Sequence, residues 1–286
     1  MILLFGHNGV IGGSLLRHLA VTGRDVLGVS SEQCDLTSPQ AVKRYLSAIE
    51  DDFDVINCAV INRHRCQDYN AFADNCRMVQ NMLEGMPVGR CRSMIHLSSV
   101  DVYGANPPCP ITEQTMPHPD SYYALAKYTC ERLIRMYPSR SFPVALLRLP
   151  GVYGPEDGGK SLIGNFIGKV LRGEGVTLFG SGQVRRDYCA LQDLVSLVDS
   201  LLETPWDGVV NVVTGKSLSL CEILDRIALT SRCVPDVRLE EVDGDIASGD
   251  LVFHSALLEN LWPHCVMRSM EQGIAEYVTA IRSVYV

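Results

Sequence analysis

Apolar and polar positions along the chain switch repeatedly between two periods. Met1-Ile-Leu-Leu-Phe5 is an unbroken apolar run of strand length that stops at Gly6. From Val10 to Val21 the spacing turns helical, with Ile11, Leu15, Leu16, Leu19 and Ala20 forming one stripe. Strands are then predicted at Asp25–Val29, Phe53–Cys58, Arg92–Leu97 and Val144–Leu149, with helices at Gln40–Ile49, Asp68–Leu83 and Ser121–Tyr137 between them. Ser38-Pro39 suits a helix start, Ser as cap and Pro in the first turn. Near-continuous apolar strands alternating with helices predict an α/β fold: a Rossmann-type doubly wound parallel sheet.

Past Gly154 the alternation loosens. A glycine-rich stretch (Gly158, Gly159, Gly164, Gly168, Gly173, Gly175) precedes a helix at about Leu191–Glu203, a strand at Val209–Val213 and a helix at Ser219–Ala228. This predicts a smaller C-terminal, substrate-side lobe woven into the first: residues 1–158 with 187–215 as the Rossmann-type domain, and 159–186 with 216–286 as the lobe.

Composition narrows the function. With 25 Lys and Arg against 33 Asp and Glu, the 286-residue chain has a net charge of −8 and no basic block, which argues against a nucleic-acid partner. Its apolar runs are strand-sized and no basic leader precedes them, so a cytoplasmic protein without a membrane partner is expected. The cysteine count of 11 is odd, without a C-x-x-C pair. His64-Arg65-Cys66 is a close His/Cys pair, but no second pair at ligand spacing completes a tetrahedron, so no metal site is expected. Reduced cysteines serving as small core residues fit this pattern.

Two constellations carry chemistry. Gly6-His-Asn-Gly9-Val-Ile-Gly12 lies at a strand-to-helix junction, where glycine allows a tight turn and the helix N-terminus offers free N–H groups to a pyrophosphate. Tyr123 and Lys127 lie four apart on a helix and so share a face. A phenol is a poor proton-transfer group at neutral pH unless a nearby cation favours its phenolate. Ser98-Ser99 ends the fourth strand, where ligand crevices of open α/β sheets lie.

With these residues the chain resembles an extended short-chain dehydrogenase/reductase of the NAD-dependent epimerase/dehydratase family. Further matches run through Asp35-Leu36, Asn57-Cys-Ala-Val60, Asn75, Leu97-Ser-Ser-Val-Asp-Val-Tyr-Gly104, Arg148-Leu-Pro-Gly-Val-Tyr-Gly-Pro155, Arg186-Asp-Tyr188 and Asn211-Val-Val-Thr-Gly215. The resemblance implies an enzyme that moves a hydride between a nicotinamide cofactor and a ring carbon of a nucleotide-linked sugar, as epimerase or 4-ketoreductase. It implies Tyr123 for proton transfer, Ser99 bonding the same sugar oxygen, and Lys127 on the nicotinamide ribose. Cofactor contacts would come from Gly6, Asn8, Gly9, Val10, Ile11, Gly12, Asp35, Leu36, Cys58, Ala59, Val60, Asn75, Ser98, Pro150 and Val152. Substrate contacts would come from Ser99, Val100, Asp101, Gly151 and Arg186, the last facing the diphosphate. It also implies a homodimer on the helices around Asp68–Leu83 and Ser121–Tyr137, where Met78, Met82, Leu133 and Met136 are either interface or core.

Three departures modify that picture. The second strand ends in Ser30-Ser31-Glu32, without an acid at its tip; Ser30 and Ser31 suit a 2′-phosphate and incline the NAD(P) choice towards NADP. Val100-Asp101 replaces the acid pair of a 4,6-dehydratase, which leaves that reaction as an alternative only. Gly151 stands where many members carry an Asn. The other class left open is a non-catalytic NADP-binding regulatory subunit.

Overall fold

A computed structural model describes residues 1–62, 66–87, 89–137, 140–241 and 249–285. His64 and Arg65 of the His/Cys pair lie outside the described residues. In chain order the elements are β1 (Ile2–Phe5), α1 (Val10–Val21), β2 (Val26–Val29), α2 (Pro39–Ser47), β3 (Phe53–Asn57), α3 (Tyr69–Gly85) and β4 (Cys91–Ser99). After a 3₁₀ turn at Val100–Tyr103 come α4 (Tyr122–Met136), β5 (Val144–Leu149), β6 (Gly151–Tyr153), α5 (Leu162–Leu171) and β7 (Val176–Phe179). Then follow β8 (Arg185–Arg186), β9 (Tyr188–Ala190), α6 (Leu191–Glu203), β10 (Gly208–Asn211) and β11 (Leu218–Ser219). The chain closes with α7 (Leu220–Ser231), β12 (Val237–Glu240), α8 (Ala256–Leu261) and α9 (Met270–Tyr285).

The chain divides into two compact units, the first formed by Met1–Gly104, Met116–Arg148 and Val195–Val210. Its sheet runs β10-β5-β4-β3-β1-β2, with β1 parallel to β2 and β3, and β3 parallel to β4. The order reverses at β1, so the β1–α1 loop lies at a topological switch point, where ligands of doubly wound sheets bind. The apolar strands bury Leu3, Phe5, Val55, Met94 and Leu146 in one core with Val42, Leu46, Val79 and Met82 of the flanking helices. Met82 is wholly buried while Met136 is exposed, so the four methionine and leucine positions of the helical pair divide between core and surface. Side-chain oxygens start the helices: Ser38 accepts from Ala41 N–H, Asp68 from Ala71 N–H and Ser121 from Ala124 N–H.

The second unit comprises Ala105–Thr115, Leu149–Leu194 and Asn211–Val286. Three two-stranded pairs, β6/β9, β7/β12 and β8/β11, lie in it beside α5, α7 and α9. Its core joins Ile163, Phe166, Ile167 and Val170 of α5 to Ile223 and Ile227 of α7 and Ile274 and Val278 of α9. The stretch that reads as glycine-rich is therefore in part a helix. Gly164 permits the close approach that makes it so, because a Cβ there would stand 2.4 Å from the Tyr277 hydroxyl.

Candidate active site

The first unit forms a tight glycine cradle in its opening loop. Gly6 has φ +81°, a left-handed conformation that favours glycine, and any Cβ there would stand 2.7 Å from the Ala59 nitrogen. A Cβ on Gly12 would come within 2.4 Å of the Gly6 carbonyl oxygen, so glycine is what lets α1 start against the loop. No side chain caps α1 at Gly9, which leaves the first-turn N–H groups around Val10 and Ile11 facing outward with the positive end of the helix dipole. Asn8 and Gly9 are exposed in that turn.

The strand ends continue the cradle. At the tip of β2, Ser30 N–H donates to Gln33 Oε1 at 2.8 Å, closing a turn in which Ser31 and Glu32 are exposed. Asp35 is also exposed and accepts from Thr37 N–H and Oγ1–H, while the Leu36 side chain packs into the core and its carbonyl accepts from Asn81. After β3, the loop through Cys58, Ala59 and Val60 is bracketed by Asn75 of α3, which accepts from Ile61 N–H at 2.8 Å and donates to Ile61 O at 3.1 Å. Asn75 thus shapes the loop with both ends of its amide. Burial pushes the Cys58 thiol up to about 12 against the opposing pull of Lys127, so it stays protonated and unreactive at neutral pH.

Ser99, Tyr123 and Lys127 all belong to this unit. Ser99 ends β4 and is buried; its Oγ accepts from Asp101 N–H at 3.2 Å, starting the 3₁₀ turn that contains buried Val100. Tyr123 lies in the first turn of α4, and Lys127 one turn on is buried, with Nζ 5.8 Å from the Tyr123 ring centroid. Lys127 Nζ donates to the Leu97 carbonyl at 2.6 Å, which ties α4 to β4 two residues before Ser99.

Ser98 faces the other way, as strand alternation requires. Its hydroxyl donates to Glu131 Oε1 at 2.5 Å, and Glu131 takes a two-pronged pair from Arg148 of β5, at 3.0 and 2.6 Å. Arg148 Nη1 also donates to the Tyr103 hydroxyl at 2.9 Å. Burial works against the guanidinium charge, but its bonds to Glu131 and Tyr103 hold its pKa above the ordinary value. Glu131 and His96 escaped the sequence reading. Glu131 sits four residues after Lys127 on the same helix face, and His96 is a polar residue inside the apolar run of β4; both were visible signals.

The remaining residues lie in the second unit. Gly151 pairs with Tyr188 across β6/β9, and a Cβ at 151 would come within 2.7 Å of the Tyr188 ring, so an Asn has no room there. Pro150 is buried and Val152 half-buried beside it. Arg186 donates from Nη1 to the carbonyls of Arg185 and Gly249, both at 2.8 Å. Buried Asp187 next to it accepts from Thr214 N–H and Oγ1–H. Among the described residues no cluster of His, Cys, Asp and Glu could hold a metal, all 11 cysteines are free thiols, and no helix is long and apolar enough to cross a membrane.

A glycine loop at the switch point of a parallel sheet flanked by helices places the first unit among the Rossmann-type α/β folds. The model of the NAD dependent epimerase/dehydratase family matches residues 2–213, and the chain belongs to that family. It is thus an enzyme of the NAD-dependent epimerase and oxidoreductase kind. The dTDP-4-dehydro-6-deoxy-D-allose reductase of a Streptomyces species is 26% identical over 255 residues, 78% of each chain. Among solved structures, the UDP-glucose 4-epimerase of Thermotoga maritima, determined with UDP-glucose, aligns with a TM-score of 0.84 and 21% identity over 100% of this chain and 99% of that one. The UDP-glucose 4-epimerase of Thermus thermophilus in complex with NAD aligns with a TM-score of 0.82 and 22% identity over 98% of both chains.

Proposed function

We propose that the chain is an NAD(P)-dependent nucleotide-sugar epimerase or reductase that works by hydride transfer at a sugar ring carbon, with Ser99, Tyr123 and Lys127 as its active residues. The observation that carries this reading is the Lys127 bond to Leu97 O, which holds the lysine between the Tyr123 ring and the strand end that bears Ser99. The glycine cradle fits a dinucleotide, because its closest approaches leave no space for a Cβ at Gly6 or Gly12.

When bound, the nicotinamide cofactor supplies the hydride chemistry. Gly9, Val10, Ile11 and Gly12 present backbone N–H groups to its diphosphate, and the loop from Cys58 to Val60 flanks its path. Tyr123 gives or takes a proton at its phenol oxygen as the sugar oxygen changes between hydroxyl and ketone. Ser99 donates to that same oxygen, and Lys127 holds the nicotinamide ribose. Arg186 serves a substrate diphosphate, its fork oriented by the Gly249 carbonyl. Pro150 and Val152 are assigned to the nicotinamide end, and Val100, Asp101 and Gly151 to the sugar. Ser30 and Ser31, with no acid at the end of β2, favour NADP over NAD.

Purified protein assayed against UDP-, dTDP- and GDP-linked sugars is expected to show NAD(P)-linked turnover. The Tyr123→Phe variant is expected to lose roughly 100-fold or more of it, the usual worth of a positioned proton-transfer group. Unchanged turnover in that variant would remove the catalytic assignment. Cofactor retained through purification with no net redox change identifies an epimerase, and stoichiometric NADPH consumption a reductase. Equal affinity for NAD and NADP would contradict the role given to Ser30 and Ser31.

A further inference from the structure

His96 is buried in the middle of β4, opposite Asn57 in the β3/β4 register. The two side chains meet at 3.1 Å, Asn57 Nδ2 against His96 Nδ1. The amide cannot be turned round without cost, because Asn57 Oδ1 already accepts from Ala59 N–H at 3.1 Å. Its NH₂ end therefore faces the imidazole, Nδ1 is the acceptor, and the ring proton belongs on Nε2. A second proton is resisted: burial, and then the ammonium of Lys127, push the imidazole down to about 3. At neutral pH His96 is a fixed neutral donor.

That donor is unmatched. Nε2 is buried, and among the described residues nothing accepts from it. The ring lines a cavity together with Lys127, Tyr123, Asn75 and Ala59, and no carboxylate lines the same cavity. Glu131, the nearest acid on α4, is committed to Arg148 and Ser98. Lys127 spends one donor on Leu97 O, its ammonium keeps two more, and it lines the same cavity as His96. An N–H donor and an ammonium facing one cavity require an oxygen acceptor, since a buried unmatched donor is costly and two donors cannot satisfy each other.

We propose that this cavity is a hydroxyl-binding subsite in which His96 Nε2–H and Lys127 Nζ converge on one acceptor oxygen. That oxygen is supplied by a cofactor ribose hydroxyl or by a water bridging to it. This makes His96 a binding residue of the cofactor site, with Asn57 setting its tautomer. The inference rests on the proposed function for the identity of the cofactor, but not for the donor itself.

The test combines crystallography of the whole wild-type protein with calorimetric titration of NAD(P). An oxygen within hydrogen-bond distance of both Nε2 and Nζ in the free protein identifies the water. The same oxygen appearing only in the cofactor complex identifies the ribose hydroxyl. No such oxygen in either crystal overturns the proposal. In solution, His96→Phe is expected to weaken NAD(P) binding roughly fivefold to tenfold, the worth of one hydrogen bond. His96→Gln keeps a donor of similar reach and is expected to stay within about twofold of wild type on the same reckoning. Equal weakening in both variants, or none in either, would show that the donor is not what matters. Failure of the wild-type chain to bind either cofactor counts instead against the proposed function, and the free-protein crystal still decides the subsite.

Discussion

Single atoms decide the cofactor cradle. Gly12 has no side chain because the Gly6 carbonyl oxygen lies where its Cβ would be. The Gly12→Ala substitution must push the β1–α1 loop off its path, at a stability cost of about 1–3 kcal/mol typical of overpacking. NAD(P) affinity is expected to fall at least tenfold by titration, on the order of the 1.4 kcal/mol that such a ratio requires; full affinity would show that the loop yields freely. His96 makes a second prediction at this scale. Its folded-state pKa of about 3 lies below the ordinary 6.5, so the unfolded chain takes up a proton that the fold refuses. Stability from this group is therefore present above pH 6.5 and is lost as pH falls from there towards 3. Between pH 7 and 5 the loss is roughly 2 kcal/mol, read as a lower urea midpoint. His96→Gln is expected to flatten that dependence, and an unaltered pH profile would contradict a buried neutral imidazole.

At the scale of elements, β4, α4 and β5 are locked together by one buried network. Ser98, Glu131, Arg148 and Tyr103 come from different segments, and the Arg148 and Glu131 side chains are 5% and 3% exposed, so the pair is shielded from solvent. Removing one partner strands a buried charge. Arg148→Met is expected to cost about 3–5 kcal/mol in urea unfolding, whereas Arg148→Met combined with Glu131→Leu costs clearly less. Additive losses would mean that the two residues act separately. The network also explains why neighbouring serines divide their tasks. Alternation along β4 sends Ser98 to Glu131, while Ser99 turns to the 3₁₀ turn. Elements of the first unit were readable because its strands are short, largely apolar runs and α2, α3 and α4 each carry a side-chain cap. Helix α5 was hidden because Gly164 and Gly168 dilute its stripe. Only contact with Tyr277 and Asp157 of the second unit gives Gly164 a purpose.

At the scale of the molecule, ligand binding should leave an uneven imprint. NAD(P) at 100 times its Kd is expected to add about 2.7 kcal/mol to unfolding stability by mass action. Amide exchange should slow most at the β1–α1 turn and in the loop after β3, where the cradle lies; protection confined to the second unit would contradict the assignment of the cofactor to the first. The amino-acid sequence by itself determined the alternation of strands and helices, the glycine turn at the first junction, and the placing of Tyr123 and Lys127 on one helix face. These depend on local periodicity and on the conformational freedom of glycine, which act over a few residues. Only the tertiary structure decided that Asn75 shapes a loop, that Ser98 serves Glu131, that Gly151 makes way for Tyr188, and that His96 holds its proton on Nε2. Each of these is a contact between residues far apart in the chain, and burial and hydrogen-bond matching choose such partners in space.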